Sequence, residues 1–166
     1  MASARKPKAA FFGNDNPSLD RVYGGGRREM VAQRVELFSE TVTSETFEQH
    51  ADRLQDVEAI FSTWGMPGLE TAQIARMKSL KAVFYAAGSV QYFARPLLDC
   101  GVKVISAWAA NAIPVAEFSL AQILLSTKGY FRNMRECKSP ERRSSPVWAT
   151  SAKRWRCLGQ GRSAAN

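Results

Sequence analysis

The chain has one histidine, His50, and its three cysteines, Cys100, Cys137 and Cys157, show neither metal-ligand spacing nor a CxxC pair. Such scarcity gives no support to a metal centre or a disulfide framework, and it fits a reducing, cytoplasmic setting. His50 falls beside Gln49 in a segment read as mid-helix, away from every strand end, so it reads as a solvated surface residue. No secretory leader is expected: "MASARKPKAAFFG" carries positive charge but no apolar core of the required length. Long apolar runs are also missing. The longest, over 112–125, falls short of the roughly 20 residues needed to cross a bilayer and carries Glu117. These absences imply a soluble protein with no membrane contact. Gly24-Gly25-Gly26 does not make a nucleotide loop, because it has neither GxGxxG spacing nor the Lys-Ser/Thr of a P-loop. It reads as a flexible turn before "RREMVAQ".

Acidic residues run short at one end only. Through residue 136 there are 16 Lys and Arg against 14 Asp and Glu, whereas residues 137–166 have 7 against 1. The formal net charge of +8 therefore belongs to the tail and says little about the body. Trp148 and Trp155 lie among Arg142, Arg143, Lys153, Arg154 and Arg156, a mixture of charge and stacking groups of the kind that binds nucleic acid. No helical pattern, zinc site or RNP-like motif organises them, so nucleic acid is not an expected partner. The tail is rich in Ser, Arg and Ala without a sustained period, and it is expected to be disordered or marginally ordered.

What is present is a regular alternation. "KAAFFG" (8–13), "RVELFSETV" (34–42), "VEAIFSTWG" (57–65), "LKAVFYAAG" (80–88) and "VKVISAW" (102–108) are strand candidates, with helix candidates near 26–33, 44–54, 69–77 and 91–100. Strand and helix in turn imply right-handed crossovers and a parallel sheet covered on both faces. The expected fold is α/β, a flavodoxin-like open parallel five-stranded sheet with helices on both faces, followed by a long apolar helix and the basic tail. The expected divisions are 1–112, 113–136 and 137–166. Ser44 reads as the N-cap of the 44–54 helix, Pro67-Gly68 as the exit from the third strand, and Gly101 as the residue just past a helix end. Pro114 fits the first turn of the long helix.

Ligands of open parallel sheets bind beyond the carboxyl ends of the strands. Those ends are 13–17, 62–68, 86–91 and 107–114. Ala86-Ala87-Gly88-Ser89-Val90 is a turn of small residues between a strand and a helix. It either offers backbone N–H groups to a carboxylate or phosphate or simply makes a compact connection. Asn111, read between the fifth strand and the long helix, can touch a small polar ligand or cap the turn. Trp64, Met66 and Trp108 suit a bulky substrate or plain packing. From Val115 onward the helix is apolar on nearly every side, with only Glu117, Ser119 and Gln122 polar up to Leu125, and such a helix must be buried.

Leu80-Lys81, Ala87-Gly88-Ser89-Val90, Gly101-Val102-Lys103-Val104 and Asn111 with Val115-Ala116-Glu117 occur in that order. Together they resemble the N-terminal substrate domain of the D-isomer-specific 2-hydroxyacid dehydrogenases, the family of phosphoglycerate and formate dehydrogenases. The resemblance is firm over 57–135 and is one of element order over 8–56. It implies hydride transfer between a 2-hydroxy acid and NAD or NADP, with the substrate carboxylate on the amides of Gly88, Ser89 and Val90 and with Asn111 touching substrate. It also implies that the helix from Val115 to Phe131 packs into a second, Rossmann-type domain and a homodimer interface. No GxGxxG follows Arg135, and residues 137–166 stand where that domain would begin. The expectation is a truncated or frame-shifted member with no catalytic residues in this chain, no bound coenzyme, and no activity alone. A receiver domain is excluded by Ser62-Thr63-Trp64 and Ser106-Ala107-Trp108, which lack the required acid and lysine. A flavodoxin is excluded by "GNDNPSLD", which is not a phosphate loop. The remaining alternative is a non-catalytic α/β interaction module that dimerises through the apolar helix.

Overall fold

The structure, a computed structural model, describes residues 5–136. The basic tail, with Cys137, Cys157 and both tail tryptophans, lies outside the described residues. Five strands, β1 (Lys8–Phe12), β2 (Glu36–Val42), β3 (Ala59–Ser62), β4 (Ala82–Tyr85) and β5 (Lys103–Ser106), form one parallel sheet in the order β2-β1-β3-β4-β5. Their alternating side chains feed two cores, as the strand period requires. Ala10, Phe12, Ile60, Val83 and Tyr85 face α3 (Phe47–His50), α4 (Thr71–Arg76) and α5 (Ala94–Asp99), meeting Phe47, Ile74 and Leu97 in one cluster. Phe11 faces the other way, toward α1 (Asn16–Tyr23), where it packs on Leu19 and Tyr23. Ala9 joins Val35 and the partly buried Val31 of α2 (Arg27–Ala32). The expected fold, with helices on both faces, is the observed one. On the second face the cover thins toward the β5 edge: Phe84 and Ile105, opposite each other in register, are 39% and 44% exposed.

Several local expectations are corrected. No element is expected over residues 16–23, yet they form α1. The Asp15 side chain accepts from the Ser18 backbone N–H at 3.3 Å, and Pro17 sits in the first turn where its missing donor costs nothing. Ser44 caps no helix. Its N–H and hydroxyl both donate to Asn14 Oδ1, at 2.7 and 3.0 Å, while Thr43 and Thr46 bond each other and α3 starts only at Phe47. His50 is not solvated: Nε2 lies 3.1 Å from Glu40 Oε2, and the ring packs edge-on against Phe38. Gly101 fulfils its reading. At φ +77 it donates to Leu98 O while Val102 donates to Leu97 O, the paired bonds that close a helix through a left-handed residue.

The chain divides into two compact units after Ala112. The apolar helix α6 runs Trp108–Thr127, so it begins directly after β5 and encloses Pro114 instead of opening on it. A proline so far inside a helix removes one backbone hydrogen bond. Nor does the helix continue from Val115 to Phe131. Gly129, at φ +71, ends it, and α7 (Tyr130–Glu136) starts afresh. With 20 residues, α6 exceeds the apolar run counted from sequence and is long and apolar enough, by length and composition, to cross a membrane. It buries none of its residues: Phe118 is 66% exposed and Leu120 54%. The burial expected of an all-round apolar helix is therefore not provided by the described part of this chain.

Candidate functional site

The carboxyl edge of the sheet is held together by hydroxyl groups that end otherwise apolar strands. Ser62, the last residue of β3, donates to Phe12 O at 2.7 Å, and Tyr23 donates to Ser62 O at 3.1 Å. Burial pushes the Tyr23 phenol up to about 12, so it remains a donor. Between β1 and β3, where the strand order reverses, Asn14 N–H bonds Gly65 O at 2.8 Å. Gly65, at φ +83, lies so close to Asp15 that an added Cβ would sit 3.1 Å from its Cβ. That switch point is thus bridged by the chain's own loops, a small cavity on this edge is lined by Asn14, Thr43, Ser44 and Glu45, and the four predicted site residues lie farther along, beyond β4 and β5.

There the four predicted site residues divide into a loop and a helix start. Ala86 N–H continues the ladder to Ser62 O at 2.8 Å. Next, Thr63 donates to Ala86 O at 3.3 Å, and Ser106 donates to both Ala87 O at 3.0 Å and Gly88 O at 2.5 Å. Three successive loop carbonyls are therefore taken up by side-chain hydroxyls. Among the described residues, no acceptor takes the N–H of Gly88, Ser89 or Val90. Ser89 is exposed, Gly88 half-buried, and the Val90 side chain packs against the main core. The predicted helix does not begin at the turn. The Val90 carbonyl first accepts from Phe93 and Ala94, and α5 starts at Ala94, so no helix N-terminus of α5 stands at Ser89.

The helix start that does reach the loop is that of α6. Ala107 N–H bonds Tyr85 O at 3.0 Å, which turns the chain from β5 into α6 beside the 86–90 loop. Asn111 lies in the first turn of α6, not in a connection before it, and its backbone N–H bonds Ala107 O. Its side chain is beside Gly88: a Cβ on Gly88 would lie 2.9 Å from Asn111 Nδ2. Among the described residues the Asn111 amide has no hydrogen-bond partner, so it does not serve as a cap. Unpaired amides of the first helical turn, the positive end of the helix dipole, and the loop amides together favour an anion. Tyr85, at the end of β4, has its phenol pushed well above the usual range, first by burial and then by Tyr92 3.5 Å away, so it offers no base. Of the three bulky candidates, Met66 is buried packing, whereas Trp64 and Trp108 are 44% and 66% exposed.

Ser62, Thr63 and Ser106 were not singled out as site residues. A hydroxyl as the last or next residue of an apolar strand was the signal available. A dinucleotide does not fit the described residues. The glycine triplet separates α1 from α2 instead of joining a strand to a helix, and Arg27 fills its vicinity by bonding Val22 O and Gly24 O. Among the described residues, no group of three or more His, Cys, Asp and Glu is placed to hold a metal. An apolar cavity of about 650 Å3, lined by Tyr23, Val31, Phe61, Phe84 and Ala86, belongs to the second sheet face and includes none of the four site residues.

Fold and site define a flavodoxin-like α/β domain whose open carboxyl edge presents amide donors beyond β4 and β5. Solved structures share this fold. A phosphoglycerate oxidoreductase from Rhizobium etli matches with a TM-score of 0.57 at 21% identity, over 79% of this chain and 40% of its own. A 2-hydroxyacid dehydrogenase from Ketogulonicigenium vulgare Y25 matches with 0.57 at 15%, over 86% and 43%. An NAD-dependent formate dehydrogenase from Staphylococcus aureus matches with 0.51 at 17%, over 82% and 43%. The chain thus spans less than half the length of each. No protein-family model matches the chain, and no curated protein matches its sequence.

Proposed function

We propose that residues 8–112 are the substrate domain of an NAD(P)-dependent 2-hydroxyacid oxidoreductase, acting on the CH–OH group of a small 2-hydroxy acid or reducing the matching 2-oxo acid. The amides of Gly88, Ser89 and Val90 hold the carboxylate, and the Asn111 amide contacts the adjoining oxygen. The observation that carries this reading is the convergence of Asn111 Nδ2 on Gly88, at the start of α6 and beside loop amides that bond nothing else. The fold shared with dehydrogenases supports it. Hydride transfer also needs a coenzyme and a group that moves a proton. The one histidine is engaged by Glu40 and Phe38, and Tyr85 holds its proton. In this reading a second, coenzyme-binding domain supplies the NAD or NADP site, and the chain as given binds no coenzyme and turns over nothing. A cytoplasmic setting agrees with the sparse cysteines, of which Cys100 is free and exposed.

The test is a titration of the 15N-labelled chain with pyruvate. Shifts confined to the amides of Gly88, Ser89, Val90 and the Asn111 side chain are expected, and their absence at any concentration refutes the site. Reduction of pyruvate or glyoxylate by NADH with the purified chain alone would refute the inactivity.

A second reading rests on α6. An exposed apolar surface of this extent marks an interface, and it favours an interaction module that pairs with a second copy through residues 115–131. Light scattering during gel filtration should return a dimer. A monomer, or co-sedimentation with lipid vesicles, would count against it.

A further inference from the structure

We infer that Ser106 is a positioning residue that aims the carboxylate-binding amides, an inference that rests on the site proposed above. A serine hydroxyl carries a single proton. Ser106 shares it between two consecutive carbonyls, Ala87 O at 3.0 Å and Gly88 O at 2.5 Å. Peptide units are planar and trans, so each C=O points opposite to the N–H of the following residue. Turning Ala87 O toward Ser106 therefore turns the Gly88 N–H away from it. Turning Gly88 O the same way does so for the Ser89 N–H. One side chain thus directs two successive N–H groups to the side of the loop away from the sheet edge. Thr63, through Ala86 O at 3.3 Å, does the same for the Ala87 N–H.

The geometry of Ser106 is itself well determined. It is the last residue of β5, paired in register with Tyr85, and the next residue's N–H bonds Tyr85 O. A half-buried hydroxyl on a rigid strand makes a better anchor than another loop residue would. Gly88 can follow both bonds because it carries no Cβ where Asn111 approaches. Without the hydroxyl, the two peptide planes lose their common partner and the amides no longer converge.

The experiment compares the intact chain with Ser106→Ala, Ser106→Cys and Ser106→Thr. Each is followed by thermal unfolding and by pyruvate titration of the 15N-labelled protein. Ser106→Ala removes the donor. Ser106→Cys keeps the volume but replaces the hydroxyl by a weak donor, and Ser106→Thr keeps the hydroxyl. Misaiming two donors to a carboxylate should weaken pyruvate binding roughly tenfold in Ala and Cys. Binding should return to within about twofold of the parent in Thr, with the Gly88 and Ser89 amide resonances following the same order. Ala and Cys variants that fold and bind pyruvate like the parent overturn the inference while leaving the site intact. Loss of folding in both, with Thr folded, assigns the hydroxyl to folding alone and also overturns it. A parent chain that shows no pyruvate shift refutes the underlying site instead.

Discussion

Replacing Gly88 by alanine probes the contact on which the site depends, and its outcome turns on two opposed terms. The Gly88 backbone is not in the left-handed region, so an alanine meets no backbone penalty there. Removing glycine's freedom from the unfolded chain should stabilise by about 0.4–1 kcal/mol. Against this, the new Cβ would lie 2.9 Å from Asn111 Nδ2 and 3.6 Å from its Cγ. Comfortable contact begins near 3.5 Å, so the amide must turn away. A side chain pushed about 30° from its rotamer costs roughly 0.5–1.5 kcal/mol. Gly88→Ala should therefore leave stability close to the parent's, with the two terms nearly cancelling. In an Asn111→Ala background the clash is gone, and the same substitution should stabilise by about 0.4–1 kcal/mol, or roughly 2–5 °C. The coupling between the two positions should then be about 0.5–1.5 kcal/mol, read from urea unfolding of the four proteins in a double-mutant cycle. Coupling no larger than the additivity error of about 0.3 kcal/mol would mean that Asn111 does not stand over Gly88, and the site would fall with it.

Leu97→Ala and Phe118→Ala contrast the two ends of the burial scale. Leu97 is fully buried in the main core and should cost about 2–5 kcal/mol. Phe118, 66% exposed on α6, should change unfolding by no more than about 0.5 kcal/mol while weakening any self-association. Equal losses would contradict the exposure of α6. Glu58 provides a pH test. Lys81, at 2.7 Å, holds its carboxylate below the ordinary range, with the Lys8 N–H and Arg5 adding to this, and Arg76 then Gln73 do the same for Glu48. The unfolded chain takes up protons first as pH falls, so this stabilisation is complete above the ordinary glutamate value of about 4.3 and vanishes as pH drops through the depressed native values. The melting temperature should decline below pH 5, and Glu58→Gln should flatten that decline. An unchanged slope would remove Glu58 from the account.

The sequence alone determined the sheet. Five apolar runs at regular spacing read as strands, and all five formed, although the edge strands β2 and β5 are largely exposed or half-buried, because period and hydrophobicity act locally and need no partner to be read. Gly101 was legible for the same reason: a helix end needs a left-handed residue, and glycine accepts one at no cost. Helix α1 was missed because its apolar face is only Leu19 and Tyr23, and its capping pair, Asp15 and Ser18, was buried in a string of polar residues. The start of α6 was misplaced because Pro114 is a strong local signal, overridden here by β5 running straight into a helix. Gly88, Ser89, Val90 and Asn111 could be named from their order along the chain. Only the tertiary structure brought Asn111 to Gly88 and gave the loop carbonyls to Thr63 and Ser106. Those partners lie 18 to 23 residues away in the chain, and a parallel sheet, not a sequence period, brings them together.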